Sequence, residues 1–350
     1  KRRVPTCWNT EQSTGTKSFC LAQETLSVAP TSTSPFVREL REKNWIAHQP
    51  RIPWPCREVV GKMTDPADSI RALFPEQYLR KFIEEGIRPD ERIFSAARET
   101  SFNRGMIRTA DGSASVQLGK TIVVAGVMLS TFRPTVGTPD TGRLEVVVEL
   151  GTVCSNRFPT WKPSDQAIAI SHFVARTLKG AGVVDLKDLI IKKGAAAFIL
   201  NISVTCLNYD GNVEDAALLA AVLALLDTKL PPVQVSETGE VVECEGEPKK
   251  LSVKKLPIAL TQVLLINNNN EVEMLADPTA EEEDEANSSI TAVLVLPLPL
   301  TSQTDAVDTA PVMLHKPGGM GLQAKQLRSV VSAARSRSLR LLPLLVKELK

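Results

Sequence analysis

The stretch SASVQLGKTIVVAGVML, Ser113–Leu129, decides the fold, because it admits two incompatible readings. Its centre, ASVQLGKT (Ala114–Thr121), is one residue short of the phosphate-binding pattern G-x-x-x-x-G-K-[ST], in which a strand feeds a glycine-rich loop that opens a helix. Ala114 stands where the first glycine belongs, and Lys120 leads into TIVVAGVML, a β-branched run that favours strand over helix. On the other side, Ala114, Val116 and Leu118 alternate onto one face. Two strands joined at Gly119-Lys120 are therefore expected, with Gly119 supplying the unusual backbone angle. This is a hairpin, and no nucleotide site is expected here.

Outward from the hairpin, the 350 residues suffice for one large or two modest domains. The formal net charge is +1, so no global field draws the chain onto nucleic acid, and RNA contacts must come from local patches. The longest apolar run, Ala216–Leu226, is too short to cross a bilayer, so no membrane association is expected, and no secretory signal is visible. The six cysteines are scattered without a C-x-x-C pair, which fits reduced thiols better than a disulfide framework, and Cys206 sits in an apolar strand. The three histidines, His48, His172 and His315, are far apart, and His172 is read as a surface residue. Neither a metal site nor a cofactor is expected.

Residues 1–62 are rich in Ser, Thr and Pro and show no sustained period, and are read as a disordered extension before a start at Met63. A helix is expected over Gln77–Glu85, ending at Gly86. Strands come next at 97–108, 113–118, 121–130 and 143–150, then a helix over Ser164–Lys179 with Ile170, Phe173, Val174, Thr177 and Leu178 on one face. The strand Ala195–Leu207 leads through Tyr209-Asp210-Gly211-Asn212 into a helix, Val213–Asp227, apolar nearly all round and capped by Asn212. Strands near 260–266, 271–275, 289–297 and 311–315 precede a basic, leucine-rich helix from about Gly321. This order argues an α+β fold.

Three segments in this order, RPDER…TADGSASVQLGKTIVVAGV (Arg88–Val127), CLNYDGNVEDAALLAAVLALL (Cys206–Leu226), and ADPTAEEEDE (Ala276–Glu285) joined to HKPGGMGL (His315–Leu322), resemble the RNase PH-like subunits of the eukaryotic RNA exosome. The likeness spans about residues 70–345 and departs at Glu91, where the family has glycine in its RPDGR turn. It implies a ribosomal protein S5 domain 2-like first half (63–230) and a smaller C-terminal α/β half (231–350). It further implies a six-membered ring with other RNase PH-like subunits, S1/KH-type caps and RNA as partners, action in rRNA maturation and mRNA turnover, and a place in nucleus, nucleolus and cytoplasm.

Active members of the family shorten RNA by phosphorolysis, which needs a cationic phosphate pocket and acidic residues, one able to hold Mg²⁺ or serve as an acid. Laid on their pattern D-V-L-Q-A-D-G-G-T-R-T, this chain matches Asp210 and Gly211, but Thr205 replaces the first Asp and Glu214 the Arg. A carboxylate where a cation should meet phosphate repels it, and the helix start KPSDQAIAI lacks the family's arginine. The resemblance thus implies a non-catalytic subunit. The alternatives are an active phosphate-dependent exoribonuclease and a different inactive subunit of the same ring. By the same resemblance, Arg157 in CSNRF matches an RNA-contacting arginine, and Arg133 lies in a loop region that faces the ring channel. The acidic run Glu281–Glu285 is read as a solvated loop, and Lys325, Arg328, Arg335, Arg337 and Arg340 as the polar face of the last helix.

Overall fold

The computed structural model describes residues 71 and 73–349, apart from 135–139, 160, 161, 163, 236–240, 245, 267–271 and 299–309. The extension expected at 1–62 lies outside the described residues. Residues 70–350 form one compact unit.

The decisive stretch is a hairpin. Strands β2 (Gly112–Leu118) and β3 (Thr121–Phe132) pair antiparallel from Leu118 opposite Thr121 to Gly112 opposite Val127, and Gly119 turns between them at φ 59°. The β-branched run continues the sheet and opens no helix. Thr121, where a phosphate loop would carry its metal-binding hydroxyl, is buried and donates to the Gly211 carbonyl at 2.8 Å. The first sheet runs β1 (Thr100–Arg104), β2, β3, β6 (Ala196–Asn208), β4 (Arg143–Glu149), with β5 (Ile190–Lys192) also paired to β6. Only β4 and β6 are parallel, joined by the crossover helix α2 (Asp165–Ala181). Helix α1 (Pro75–Glu84) precedes the sheet and buries Leu79 and Ile83 against Val263, Leu265 and Leu275.

The second sheet is antiparallel, in the order β12 (Val272–Ala276), β11 (Lys255–Ile266), β13 (Ser288–Pro297), β14 (Met313–His315). Two short ribbons, β7 (Lys229–Leu230) with β10 (Lys249–Lys250) and β8 (Val233–Val235) with β9 (Val241–Glu243), lie between the sheets in the chain. The sequence does not announce them, because two- and three-residue strands carry no readable period. Helix α3 (Val213–Asp227) packs on β2 and β3 of the first sheet and on β11 of the second, which is why its sequence is apolar all round: Ala216 through Leu225 are buried. One continuous core then joins both sheets through it. The other face of the second sheet buries Leu260, Leu264, Ile290 and Leu294 under Val330 and Ala334 of α5 (Ala324–Leu349).

Two charged groups depart from expectation. Arg337 does not belong to the solvated face of α5: it is 8 % exposed and points under the first sheet, donating to the Arg98 carbonyl at 3.2 Å and the Thr100 hydroxyl at 2.8 Å. Its two terminal nitrogens meet neutral acceptors while its buried Nε has no hydrogen-bond partner, and desolvation lowers the pKa of the group. The acidic run is not a loop either. It forms the short helix α4 (Ala280–Asp284) with a Thr279/Glu282 capping box, and Glu282 is fully buried on Arg88. No described helix is long and apolar enough to cross a membrane.

Candidate active-site cleft

The turn that starts α3 organises the site. Gly211 (φ 77°) and Asn212 (φ 52°) both take the left-handed conformation. A Cβ on Gly211 would lie 2.5 Å from the Thr279 carbonyl carbon and 2.6 Å from the Ala280 nitrogen, so glycine is needed for the close approach of this turn to the Ala276–Thr279 segment. Asn212 was expected to cap α3 with its side chain. Instead its Nδ2 donates to Asp215 Oδ2 at 2.9 Å and to Asp277 Oδ1 at 2.6 Å, tying the turn to the strand end across from it.

Behind the turn lies a buried junction of matched charges. Arg98 donates from Nε to Asp277 Oδ2 at 3.0 Å and from Nη2 to Asp277 Oδ1 at 2.9 Å, while Nη1 reaches the Asp210 carbonyl at 2.7 Å. Arg88 holds Glu282 and the Ala276 and Asp277 carbonyls. Burial pushes the Asp277 carboxyl up, but the Arg98 guanidinium and Asn212 outweigh it and hold the group below the usual carboxylate range. Glu91, which replaces the family's glycine, keeps a glycine-like φ of 64°, so the Arg88–Arg92 turn survives the departure.

In front of the turn opens a cleft of ≈ 540 Å³. Val213 and Glu214 of α3, Tyr209, Glu283 and Asp284 of α4, Arg157, Gln166 and the glycines 318 and 319 are in its wall. Among the described residues Arg157 is the one cation of this wall, and it is engaged: it forms an ion pair with Asp284 and lies 5.8 Å above the Tyr209 ring. Glu283 accepts the Asn212 N–H at 2.6 Å and the Tyr209 hydroxyl at 2.9 Å, yet burial and the neighbouring Glu214 push its carboxyl up to about 7. Glu214, raised to about 7 by burial and by Asp215, touches the Thr291 hydroxyl at 3.0 Å.

The hydroxyl chain behind Glu214 can relay a proton shared with Asp215. If both carboxylates were ionised, Thr291 would donate to Glu214 and Thr261 to Asp215 (2.8 Å). The two hydroxyl oxygens, 3.0 Å apart, would then face each other without a proton between them. A proton on Glu214 removes the conflict, since Glu214 then donates to Thr291, Thr291 to Thr261, and Thr261 to Asp215. Asp215 also accepts the Thr261 N–H and Asn212 Nδ2, which oppose the burial that raises its carboxyl.

The structure brings Glu214 and Arg157 together in the cleft wall and leaves the other candidates outside it. Asp210 is at the turn, paired with Arg98 at 3.3 Å, its carboxyl raised chiefly by burial. Thr205 is mid-strand on β6, opposite Val124 and Glu149. Arg133 is exposed just past β3. A turn with one carboxylate already engaged by a guanidinium does not suit a bound Mg²⁺, and among the described residues no cluster of three or more His, Cys, Asp or Glu side chains is placed to hold a metal. Sequence reading missed Tyr209, Glu283 and Asp284, although the Thr279-x-x-Glu282 capping signature could have announced the helix that presents the two acids. Cys206 is a buried thiol as expected, pushed up to about 12 by burial and by Cys154, and His172 is exposed.

Comparison with known proteins agrees with this layout. The profile of the 3' exoribonuclease family, domain 1, matches residues 96–231. The chain is 31 % identical over 270 residues to the exosome complex component rrp43 of Schizosaccharomyces pombe, covering 76 % of this chain and 93 % of the relative. It is 35 % identical over 209 residues to the exosome complex component Rrp42 of Aeropyrum pernix, covering 59 % and 74 %. The structure of the Archaeoglobus fulgidus exosome with RNA bound to the active site superposes with a TM-score of 0.64 at 30 % identity, over 76 % of this chain and 96 % of that one.

Proposed function

Because the chain belongs to the RNase PH-like exosome components, we infer that it is a subunit of an exosome core ring, acting in RNA processing with other RNase PH-like subunits and RNA as its partners. We propose further that its own cleft performs no phosphorolysis. The observation that carries this is Glu214. In the cleft wall, where the family pattern places a phosphate-binding arginine, stands a carboxyl backed by Asp215, with Glu283 beside it. Arg157, the one cation among the described residues of the wall, is already paired with Asp284. A neutral to anionic wall offers inorganic phosphate nothing to bind, and losing one preorganised charge stabiliser alone costs roughly 10²–10³ in rate. Thr205 in place of the first acid and Asp210 held by Arg98 support the same reading.

On this proposal the subunit builds the ring and its channel. Arg157 and Arg133 are its candidate RNA contacts, S1/KH proteins cap it, residues 63–230 and 231–350 are its two subdomains, and it works in nucleus, nucleolus and cytoplasm. The test is phosphorolysis by the purified chain with single-stranded RNA, inorganic phosphate and Mg²⁺. No release of nucleoside diphosphates is expected. Phosphate-dependent release that Asp210→Asn abolishes would instead establish an active exoribonuclease.

A further inference from the structure

The outward face of α5 is a second, separate surface. Around the helix, at 100° per residue, Lys325, Arg328, Arg335, Arg340 and Lys347 fall within an arc of ~140° and span ~33 Å of axis. Lys325, Arg328, Arg340 and Lys347 are exposed and Arg335 is half-buried. Ser329, Ser332 and Ser336, all exposed, lie on the same arc, and the Ser336 hydroxyl donates to the Ser332 carbonyl at 3.1 Å. No acid stands in the first turn, and the helix sequence holds a single acidic residue, Glu348, one position from its end.

This pattern differs from an ordinary solvated helix face, which intersperses both signs at i and i+4. It also works against the helix itself. Lys325 and Arg328 sit near the N-terminus, where the macrodipole disfavours cations and the first turn usually carries Asp or Glu. In a chain of net charge +1, such a concentration of one sign is a local field with a direction. Arg337, which the sequence grouped with these residues, is turned inward and braces the first sheet, so the structural and the outward cations of α5 are different residues.

We propose that the outer face of α5 is a sequence-independent docking surface for RNA, its cations neutralising phosphates of the backbone and the Ser329 and Ser332 hydroxyls donating to phosphate oxygens. The surface is distinct from the cleft: the described cleft wall carries one cation, Arg157, already paired with Asp284, whereas this helix face carries cations along its length. Sequence independence arises because phosphate contacts position a strand without reading bases. The proposal rests on the ring reading only for the source of the RNA.

The experiment compares the full chain with the quadruple variant Lys325→Gln, Arg328→Gln, Arg340→Gln, Lys347→Gln. Binding of a labelled single-stranded oligouridylate is titrated over a range of salt, and entry into the reconstituted ring is scored separately. A charge-matched control, Lys187→Gln, Lys193→Gln, Lys249→Gln, Lys250→Gln, removes the same number of exposed cations elsewhere. Four lost phosphate contacts should flatten the slope of log affinity against log salt by about 2–3, with ring entry intact and the control near wild type. An unchanged slope, or an equal fall in the control, overturns the proposal. A variant that is shut out of the ring overturns it as well, because the face is then a protein interface. Failure of the wild-type chain to enter the ring would strike the ring reading instead, and the salt titration of the isolated chain would still decide this one.

Discussion

The two sides of the α3 turn use the same residue types to opposite ends. Behind the turn, Asp277 and Glu282 are buried with Arg98 and Arg88 against them, and Asp277 is held ionised below its ordinary range. In front, a few residues away, Glu214 and Glu283 face a cleft with no guanidinium bonded to either, and both are pushed up to about 7. The contrast separates a carboxylate that holds the fold together from one that decides what the cleft can bind. Burial alone does not distinguish Asp277 from the two glutamates, since it raises all three; the presence or absence of a matched cation does.

The contrast breaks most easily at Arg98. Arg98→Met leaves the buried Asp277 carboxylate without its main partner and should cost ~3–5 kcal/mol in denaturant unfolding, a large part of a typical domain's stability. A loss under about 1 kcal/mol would mean the junction is not the brace described here.

The pH dependence tests the other side. The folded-state values of Glu214 and Glu283, about 7, lie above the ordinary value of 4.5, so between these limits the folded protein binds more protons than the unfolded chain. Stability should therefore fall as pH rises from about 5 to 8, by on the order of 1–3 kcal/mol for the pair. Asp277 acts oppositely, its contribution being present above 3.8 and lost as pH falls below that. Glu214→Gln, whose amide can still donate to Thr291, should keep the acid-side stability and flatten the profile. A variant as pH-sensitive as the wild type would show Glu214 ionised throughout and defeat the proton assignment.

The smallest effect belongs to Arg157. Its pair with Asp284 is about half exposed, so Arg157→Ala should cost at most ~1 kcal/mol in thermal unfolding. RNA crosslinking through an assembled ring should nevertheless weaken for all sequences alike. A silent crosslinking result would remove Arg157 from the RNA path and leave Arg133 as the remaining candidate.

The element order was legible because it rests on local chemistry. The β-branched run after Lys120, the apolar stripe of α2 and the all-round apolarity of α3 each commit the backbone through neighbours a few residues away. The proposed loss of an arginine at Glu214 and of an acid at Thr205 rests on the sequence laid on the family's pattern. Where each charge ends was not legible. Arg337 and Arg340 are three residues apart on one helix, yet one is buried under the first sheet and the other exposed. Within Glu281–Glu285, Glu282 closes a buried ion pair while Glu283 faces the cleft. A charged side chain looks the same in sequence whether it ends in water, against a guanidinium or beside another carboxyl. That choice depends on groups 194 to 239 residues away, such as Arg88 for Glu282 and Arg98 for Arg337, and only the packed tertiary structure brings them within hydrogen-bond reach.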